Sequence, residues 1–276
     1  MLVNPESIAL QVYSTDSGCE TVAFVPPLGV PAEAFLPTLS TLADDFRIIT
    51  WDTRGYPGPT DDFDALDLSL SAHARDLLSI VDWVGGKTVR LVGYCSGAAV
   101  ALSALRMRPG MSNRLALVCS ALGISDVAGD SPTTKLAAEL FQEMAQSRKL
   151  AAELGPILAG QVKSPYWDYR YEDVLEPQYF KSLLHKVYES AESIYRYAKL
   201  QCINRESPEE LLRQAIENVL VISVDDDHVV PPNWGEYISG RFPGSRLVRY
   251  PRGGHWALCK GGQLRLDLEK FLREGL

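Results

Sequence analysis

Cys95 stands in Gly93-Tyr94-Cys95-Ser96-Gly97, between the apolar Leu91-Val92 and the small-residue stretch Ala98-Ala99-Val100-Ala101-Leu102. A thiol placed where a strand turns sharply into a helix is presented as a nucleophile on a strained turn. The flanking glycines suit that turn, because residues two before and two after the nucleophile must be small for strand and helix to approach. A thiol nucleophile needs a base, and the base needs an orienting acid. Four histidines are available. His73 lies in a helical stretch, His185 lies among the central helices, and His228 directly follows an acidic run. His255 stands in the glycine-rich Arg252-Gly253-Gly254-His255-Trp256 after the last apolar run, where a loop can hold an imidazole above a sheet edge. His255 is therefore the expected base. The acid belongs to the loop after the preceding strand, in the chain order nucleophile, acid, histidine. Asp225, Asp226 and Asp227 compete for that role.

Two other readings of these motifs are weaker. If Ser96 were the nucleophile, Tyr94 and Ala98 would take the flanking small positions, and a tyrosine does not fit there. Gly85-Gly86-Lys87-Thr88 imitates the end of a phosphate-binding loop, but Val81 stands where the first glycine belongs and the segment leads from helix into strand. It reads as a turn.

The elements that must position these residues follow a repeating pattern. Apolar runs bounded by turn residues recur at Ile8 to Tyr13, Thr21 to Val25, Arg47 to Trp51, Thr88 to Val92, Leu115 to Cys119, Val219 to Val224 and Arg246 to Tyr250. Several are continuous and β-branched, as in strands buried on both faces of a parallel sheet. Helix-period stretches lie between them, at Pro37 to Ala43, Ser69 to Val84 and Ser96 to Leu105. The alternation predicts an α/β chain with a doubly wound sheet. It breaks at 123–217, where helices are expected from Ser131-Pro132 to about Leu154, from Glu176-Pro177 to about Cys202, and from Ser207-Pro208 to about Glu217. That divides the chain into a core of 1–122 and 218–276 and a helical insertion of 123–217 lying over the carboxyl edge of the sheet as a lid, where ligands bind in such sheets.

Bulk properties narrow the classes. The chain has 276 residues, is 46% hydrophobic and 22% charged, and carries a net charge of −8. This is ordinary globular composition, with no apolar run long enough to span a membrane. The N-terminal residues lack the basic-then-apolar pattern of a signal peptide, so a cytoplasmic location is expected. The five cysteines are scattered, with no Cys-x-x-Cys pair, which suggests neither a disulfide framework nor a zinc site. The negative charge without a basic cluster argues against nucleic acid or anionic membrane as a partner.

These motifs, taken in order, resemble the α/β-hydrolase superfamily. Asp227-His228-Val229-Val230-Pro231 matches the family's Asp-x-(Val or Ile)-Val-Pro, whose first residue is the acid, which implies Asp227. Asp225 and Asp226 would then be turn formers and solvated charge. Asp52-Thr53-Arg54-Gly55 resembles the family's Asp-x-Arg-Gly turn, and Phe24-Val25-Pro26-Pro27-Leu28-Gly29 lies where the first oxyanion donor is found. Pro26 and Pro27 have no N–H, so the resemblance implies the backbone amides of Leu28 and Ser96 as the oxyanion hole. It also implies the family fold: a mostly parallel sheet flanked by helices, with the helical lid inserted after the sixth sheet strand. Tyr94, Val30, Trp256, Tyr166 and Trp167 are candidate pocket residues.

The sulfur points to the reaction. An acyl-serine lies below the thioester that made it, whereas an acyl-cysteine is another thioester, so transfer between thiols through Cys95 is nearly isoergonic. Gly93-Tyr94-Cys95-Ser96-Gly97 with Pro26-Pro27 is similar to polyhydroxyalkanoate synthases, which are much longer, and dienelactone hydrolases use cysteine in smaller chains. The size best resembles stand-alone thioesterase-like acyltransferases of non-ribosomal peptide and polyketide pathways. The expectation is a cysteine acyltransferase moving a small acyl or aminoacyl group, carried on phosphopantetheine by an acyl or peptidyl carrier protein, through an acyl-Cys95 intermediate, with no cofactor or metal of its own. A cysteine thioesterase or hydrolase is the alternative, and a catalytically inactive binding scaffold is the third reading. Arg106, Arg108 and Arg114, or Arg252 and Lys260, are candidate contacts for an acidic carrier.

Overall fold

Continuous runs such as Val219-Leu220-Val221-Ile222 leave a strand no polar face to show to water, so each must be covered on both sides. The computed structural model describes residues 2–3, 8–15, 18, 20–56, 62–86, 88–122, 132–162, 171–203 and 207–276. Among them the strands are β1 (Leu2–Val3), β2 (Ala9–Leu10), β3 (Val12–Ser14), β4 (Glu20–Val25), β5 (Phe46–Trp51), β6 (Val89–Tyr94), β7 (Ser112–Val118), β8 (Val219–Val224) and β9 (Arg246–Tyr250). β1 and β2 pair as a separate ribbon, and the others form one sheet in the order β3-β5-β4-β6-β7-β8-β9. β3 is antiparallel to β5 and every other pairing in that sheet is parallel. Every residue of β6 and β8 is buried.

The chain leaves β4 toward β5 on one side and returns to β6 on the other, so the strand order reverses at β4 and β6. A crevice opens at the carboxyl ends of strands that diverge in this way. The register pairs Val25 with Gly93, which places the Pro26-Pro27-Leu28 segment beside the Cys95 turn.

Helices α1 (Leu36–Ser40), α2 (Leu70–Trp83), α3 (Gly97–Met107), α4 (Pro132–Gln146), α5 (Arg148–Val162), α6 (Pro177–His185), α7 (Ala191–Gln201), α8 (Pro208–Leu211), α9 (Asn233–Ser239) and α10 (Gly262–Glu274) complete the described fold. One core cluster joins a sheet face to α2, α3 and α9 through Leu77, Val100 and Ile238. A second joins the opposite face to α1, α10 and α6 through Leu39, Leu268 and Phe180. Helices α4, α5 and α7 share a smaller core that includes Met144, Ala151 and Ile194.

The insertion follows the fifth strand of the large sheet. The resemblance implied the sixth, but residues 2–3 pair with 9–10 in their own ribbon and do not extend the sheet edge. The first predicted lid helix is two helices, because the Ser147 hydroxyl accepts from the Leu150 amide and starts α5 afresh. Helix α5 continues past Leu154 with Pro156 inside it. The second predicted helix is also divided, since Ser190 accepts from the Ser193 amide and caps α7. Ser207 caps α8 as expected, but the helix stops at Leu211, whose carbonyl accepts from the Gln214 side chain. Ser131 lies outside the described residues. Helices α9 and α10 had no counterpart among the predicted elements.

Candidate active site

The turn after β6 holds Cys95 at φ +50°, a left-handed conformation that a side chain adopts only when its surroundings impose it. Those surroundings are visible. The Cys95 amide donates to Val118 on β7, and its carbonyl accepts from Ala98 and Ala121. A Cβ at position 93 would sit 2.6 Å from the Cα of Ala98, and one at position 97 would overlap the carbonyl oxygens of Val25 and Pro26. Both glycines are needed for close approach, although neither has a positive φ.

Asp227 follows β8. Its Oδ1 accepts from the amides of Val229 and Val230 at 2.8 and 3.0 Å, and its Oδ2 lies 2.9 Å from Nδ1 of His255. With Nδ1 so engaged, the other ring nitrogen faces Cys95, to which His255 is hydrogen-bonded. His255 is 8% exposed, Asp227 6% and Cys95 9%. Burial disfavours the imidazolium, but Asp227 and Cys95 outweigh it and push His255 up to about 10. Burial likewise opposes ionisation of Asp227, yet His255 and the two amides hold it below the usual carboxylate range. The structure thus brings Cys95, His255 and Asp227 together in one buried hydrogen-bonded line. His73 is fully buried in α2, and burial with nearby Arg54 lowers it to about 3, so it is a neutral packing group. His228 is exposed beside Asp227.

The histidine loop is fixed at three points. Asp226 accepts from the amides of Gly253 and Gly254, so it anchors this loop and is more than solvated charge. The Tyr94 hydroxyl donates to the carbonyl of His255, and the two rings stack with centroids 5.6 Å apart. Trp256 meets the imidazole edge-on at 5.0 Å. Asp225 pairs with Arg249 at the surface.

The oxyanion segment is held from both sides. Asp52 accepts from the Ala32 amide at 2.8 Å, Thr53 Oγ1 accepts from Gly29, and Gln201 of α7 donates to the Leu28 carbonyl. Arg54 is locked beneath by a bidentate pair with Asp76, both contacts at 2.6 Å. The Leu28 amide is already engaged, since it donates to Ser96 Oγ at 2.9 Å. The amide of Ser96, next in the chain after Cys95, has no hydrogen-bond partner among the described residues.

The pocket expectations change. Tyr94 is fully buried among Phe24, Phe35 and Trp256, and its hydroxyl is committed to His255, so it braces the histidine loop and lines no pocket. Val30 is 5% exposed within the same core cluster. Trp256 is half-buried and packs on Phe35 and Phe180. Tyr166 and Trp167 lie outside the described residues. Two neighbours of the site were missed. Tyr197 of α7 lies over Gly29, close enough to Cys95 for its hydroxyl to feel the thiol. Cys119, one residue past β7 at φ +44°, donates its thiol to Asp227, and burial with that carboxylate pushes the thiol well up. The one available signal was its position at the end of the strand beside β6. Cys119, Asp227 and His255 bring three ligand atoms within 4.8 Å, donor types that suit zinc, but the carboxylate and imidazole are engaged with each other.

The candidate carrier contacts separate by position. Arg106 and Arg108 lie at the far end of α3 from Cys95, paired with Glu210 and Asp82, and Arg114 donates to the Leu272 carbonyl. Arg106 and Arg108 lie away from the site because α3 runs down from the Cys95 turn, and Arg114 because it lies near the start of β7, at the other end of that strand from Cys119. Arg252 and Lys260 flank the histidine loop.

A family model described as alpha/beta hydrolase fold matches residues 29–261, and the chain belongs to that family. The chain is 24% identical over 240 residues to RutD of Klebsiella pneumoniae, a protein named for carbamate hydrolysis, covering 86% of this chain and 85% of that one. It is 31% identical over 104 residues to the like-named protein of Agrobacterium fabrum, a match spanning 38% of this chain and 40% of the relative. The solved structure of esterase EaEST from Exiguobacterium antarcticum aligns with a TM-score of 0.72 at 18% identity, over 99% of this chain and 98% of that one. At that identity the likeness is one of fold. Among the described residues no helix is long and apolar enough to cross a membrane.

Proposed function

We propose that the protein is an acyl-transferring enzyme that works through an acyl-Cys95 intermediate. The observation that carries this reading is the buried line from Cys95 through His255 to Asp227, with the thiol on a left-handed turn. His255 takes the thiol proton, and the imidazolium lies between two negative groups that favour it. The thiolate attacks a substrate carbonyl, and the Ser96 amide donates to the oxygen as charge develops on it. His255 then protonates the leaving group. In the second half the same imidazole takes a proton from the acceptor, which attacks the acyl-cysteine and restores the thiol.

The sulfur and the burial of the site support a thiol, amine or hydroxyl acceptor. A water-excluded thioester keeps its acyl group until a competing nucleophile arrives. A pantetheinyl thioester on a carrier protein is the fitting donor, with Arg252 and Lys260 at the site's rim to meet an acidic carrier. The second reading is hydrolysis of an ester, thioester or carbamate, favoured by the names of the relatives. The ordered triad counts against an inactive scaffold.

Intact-mass spectrometry after incubation with acetyl-pantetheine tests the reading. A Cys95 adduct discharged faster by a second thiol than by water is expected, and Cys95→Ala should form none. Rapid release of free acid would establish hydrolysis, and no adduct with thioesters or esters would sink both.

A further inference from the structure

We infer that the hydroxyl of Ser96, and not the amide of Leu28, is the second hydrogen-bond donor to the oxyanion. This rests on Cys95 as the nucleophile. The family's loop geometry implied two backbone amides, but the Leu28 N–H points at Ser96 Oγ across 2.9 Å in a site where Ser96 is 2% exposed. A hydroxyl has one proton and two lone pairs. Having accepted from Leu28, Ser96 Oγ keeps its proton to give, and no acceptor for it lies among the described residues. The loop supplies no other amide at this point, because Pro26 and Pro27 have none.

The hydroxyl is held in place. Leu28 is tied by its carbonyl to Gln201, and Gly29 is tied by its amide to Thr53. The same loop rests against Gly97, where a Cβ would overlap the carbonyl oxygens of Val25 and Pro26, and the bonds to Gln201 and Thr53 keep the Leu28 amide on Ser96 Oγ. An amide donating into a hydroxyl polarises its O–H, which makes it a stronger donor in a buried site. Both donors then come from the residue after the nucleophile, the amide N–H and the side-chain O–H of Ser96. The Leu28 amide acts one bond further back, as a positioning group.

The test compares two reactions of Cys95 in one set of variants. Acylation by p-nitrophenyl acetate passes through an oxyanion, whereas alkylation by iodoacetamide does not. For Ser96→Ala we expect single-turnover acylation to fall by roughly 10–1,000-fold, the range for losing one oxyanion donor, with alkylation unchanged within about twofold. Ser96→Thr, which keeps a hydroxyl, should recover most of the acylation rate. Acylation that is unchanged or faster in Ser96→Ala would overturn the inference, because removing a mere plug frees the Leu28 amide to bind the oxyanion. A fall in both reactions would assign Ser96 a structural role and overturn it equally. Failure of the underlying reading looks different, since the wild-type protein would then carry no acetyl group on Cys95.

Discussion

Asp227 carries two opposed burdens, since it is buried and it must stay charged. Two amides, the Cys119 thiol and the His255 imidazole supply the donors that replace water. The raised proton affinity of His255 and the lowered one of Asp227 make stability depend on pH with opposite signs. His255 is pushed up to about 10, so the folded chain holds a proton that the unfolded chain loses near pH 6.5. Its contribution is full below that point and fades as the pH rises toward 10. Asp227 contributes above the ordinary carboxylate range, and that contribution is lost as acid protonates it. The difference in thermal midpoint between wild type and Asp227→Asn should therefore be greatest near pH 5–6 and shrink toward pH 10. Asp227→Asn should also lower kcat/KM by roughly a thousandfold or more through loss of imidazole orientation, read by steady-state assay. Cys95 and His255, which the fold brings together, were legible in the sequence as candidates because glycines and strand ends mark them. Asp227 needed the family motif, since three adjacent aspartates share one loop and only their contacts separate them. Cys119 left no pattern, because a lone cysteine at a strand end looks like any buried cysteine.

At the level of elements, the site depends on the contact between β4 and β6. Gly97 lets α3 start against the carbonyls of Val25 and Pro26, and Gly93 lets the strand pass under Ala98. Gly97→Ala is expected to destabilise the fold by about 1–3 kcal/mol, the usual cost of overpacking, and to lower activity further by displacing the oxyanion loop. A urea midpoint and a rate constant measured on the same sample separate the two effects. Arg54 and Asp76 bind β5's following turn to α2 with side chains wholly out of water. Asp76→Ala strands a buried guanidinium and should cost about 3–5 kcal/mol in urea denaturation. The central strands of the large sheet, β6 and β8 above all, were readable because burial on both faces writes a continuous apolar run. The lid helices were misdivided because their breaks rest on single capping serines, Ser147 and Ser190, within sequence that keeps a helical period. Helix α9 is only seven residues long, too short to set up a clear helical period, whereas α10 buries Leu264, Leu268, Phe271 and Leu272 on one face.

For the molecule as a whole, Cys95, Asp227 and His255 are buried beneath the inserted helices and the sheet edge. Helix α7 reaches the oxyanion segment through Gln201 and Tyr197, and the Leu175 amide bonds the Cys259 carbonyl just beyond the histidine loop. On the proposed reading, a carrier-borne donor engages beside the histidine loop, where Arg252 lies exposed and Lys260 half-buried. Replacing both by glutamate should reduce acyl transfer from an acidic carrier protein while leaving transfer from free acetyl-pantetheine within about twofold, and the loss should deepen at low salt. Equal loss with both donors would remove the rim from carrier recognition.

The join between Tyr94 and the His255 loop also sets when the site comes into being. Tyr94, the residue before Cys95, grips the backbone and ring of His255 across 161 positions of chain. On a ribosome, the turn bearing Cys95 emerges well before that partner, by about 10–30 s at ordinary elongation rates. Through that interval the Cys95 thiol lacks His255 beside it. Reactivity of Cys95 is in this sense a property of the finished chain: nascent fragments ending before the final loop should expose the cysteine without its acyl chemistry.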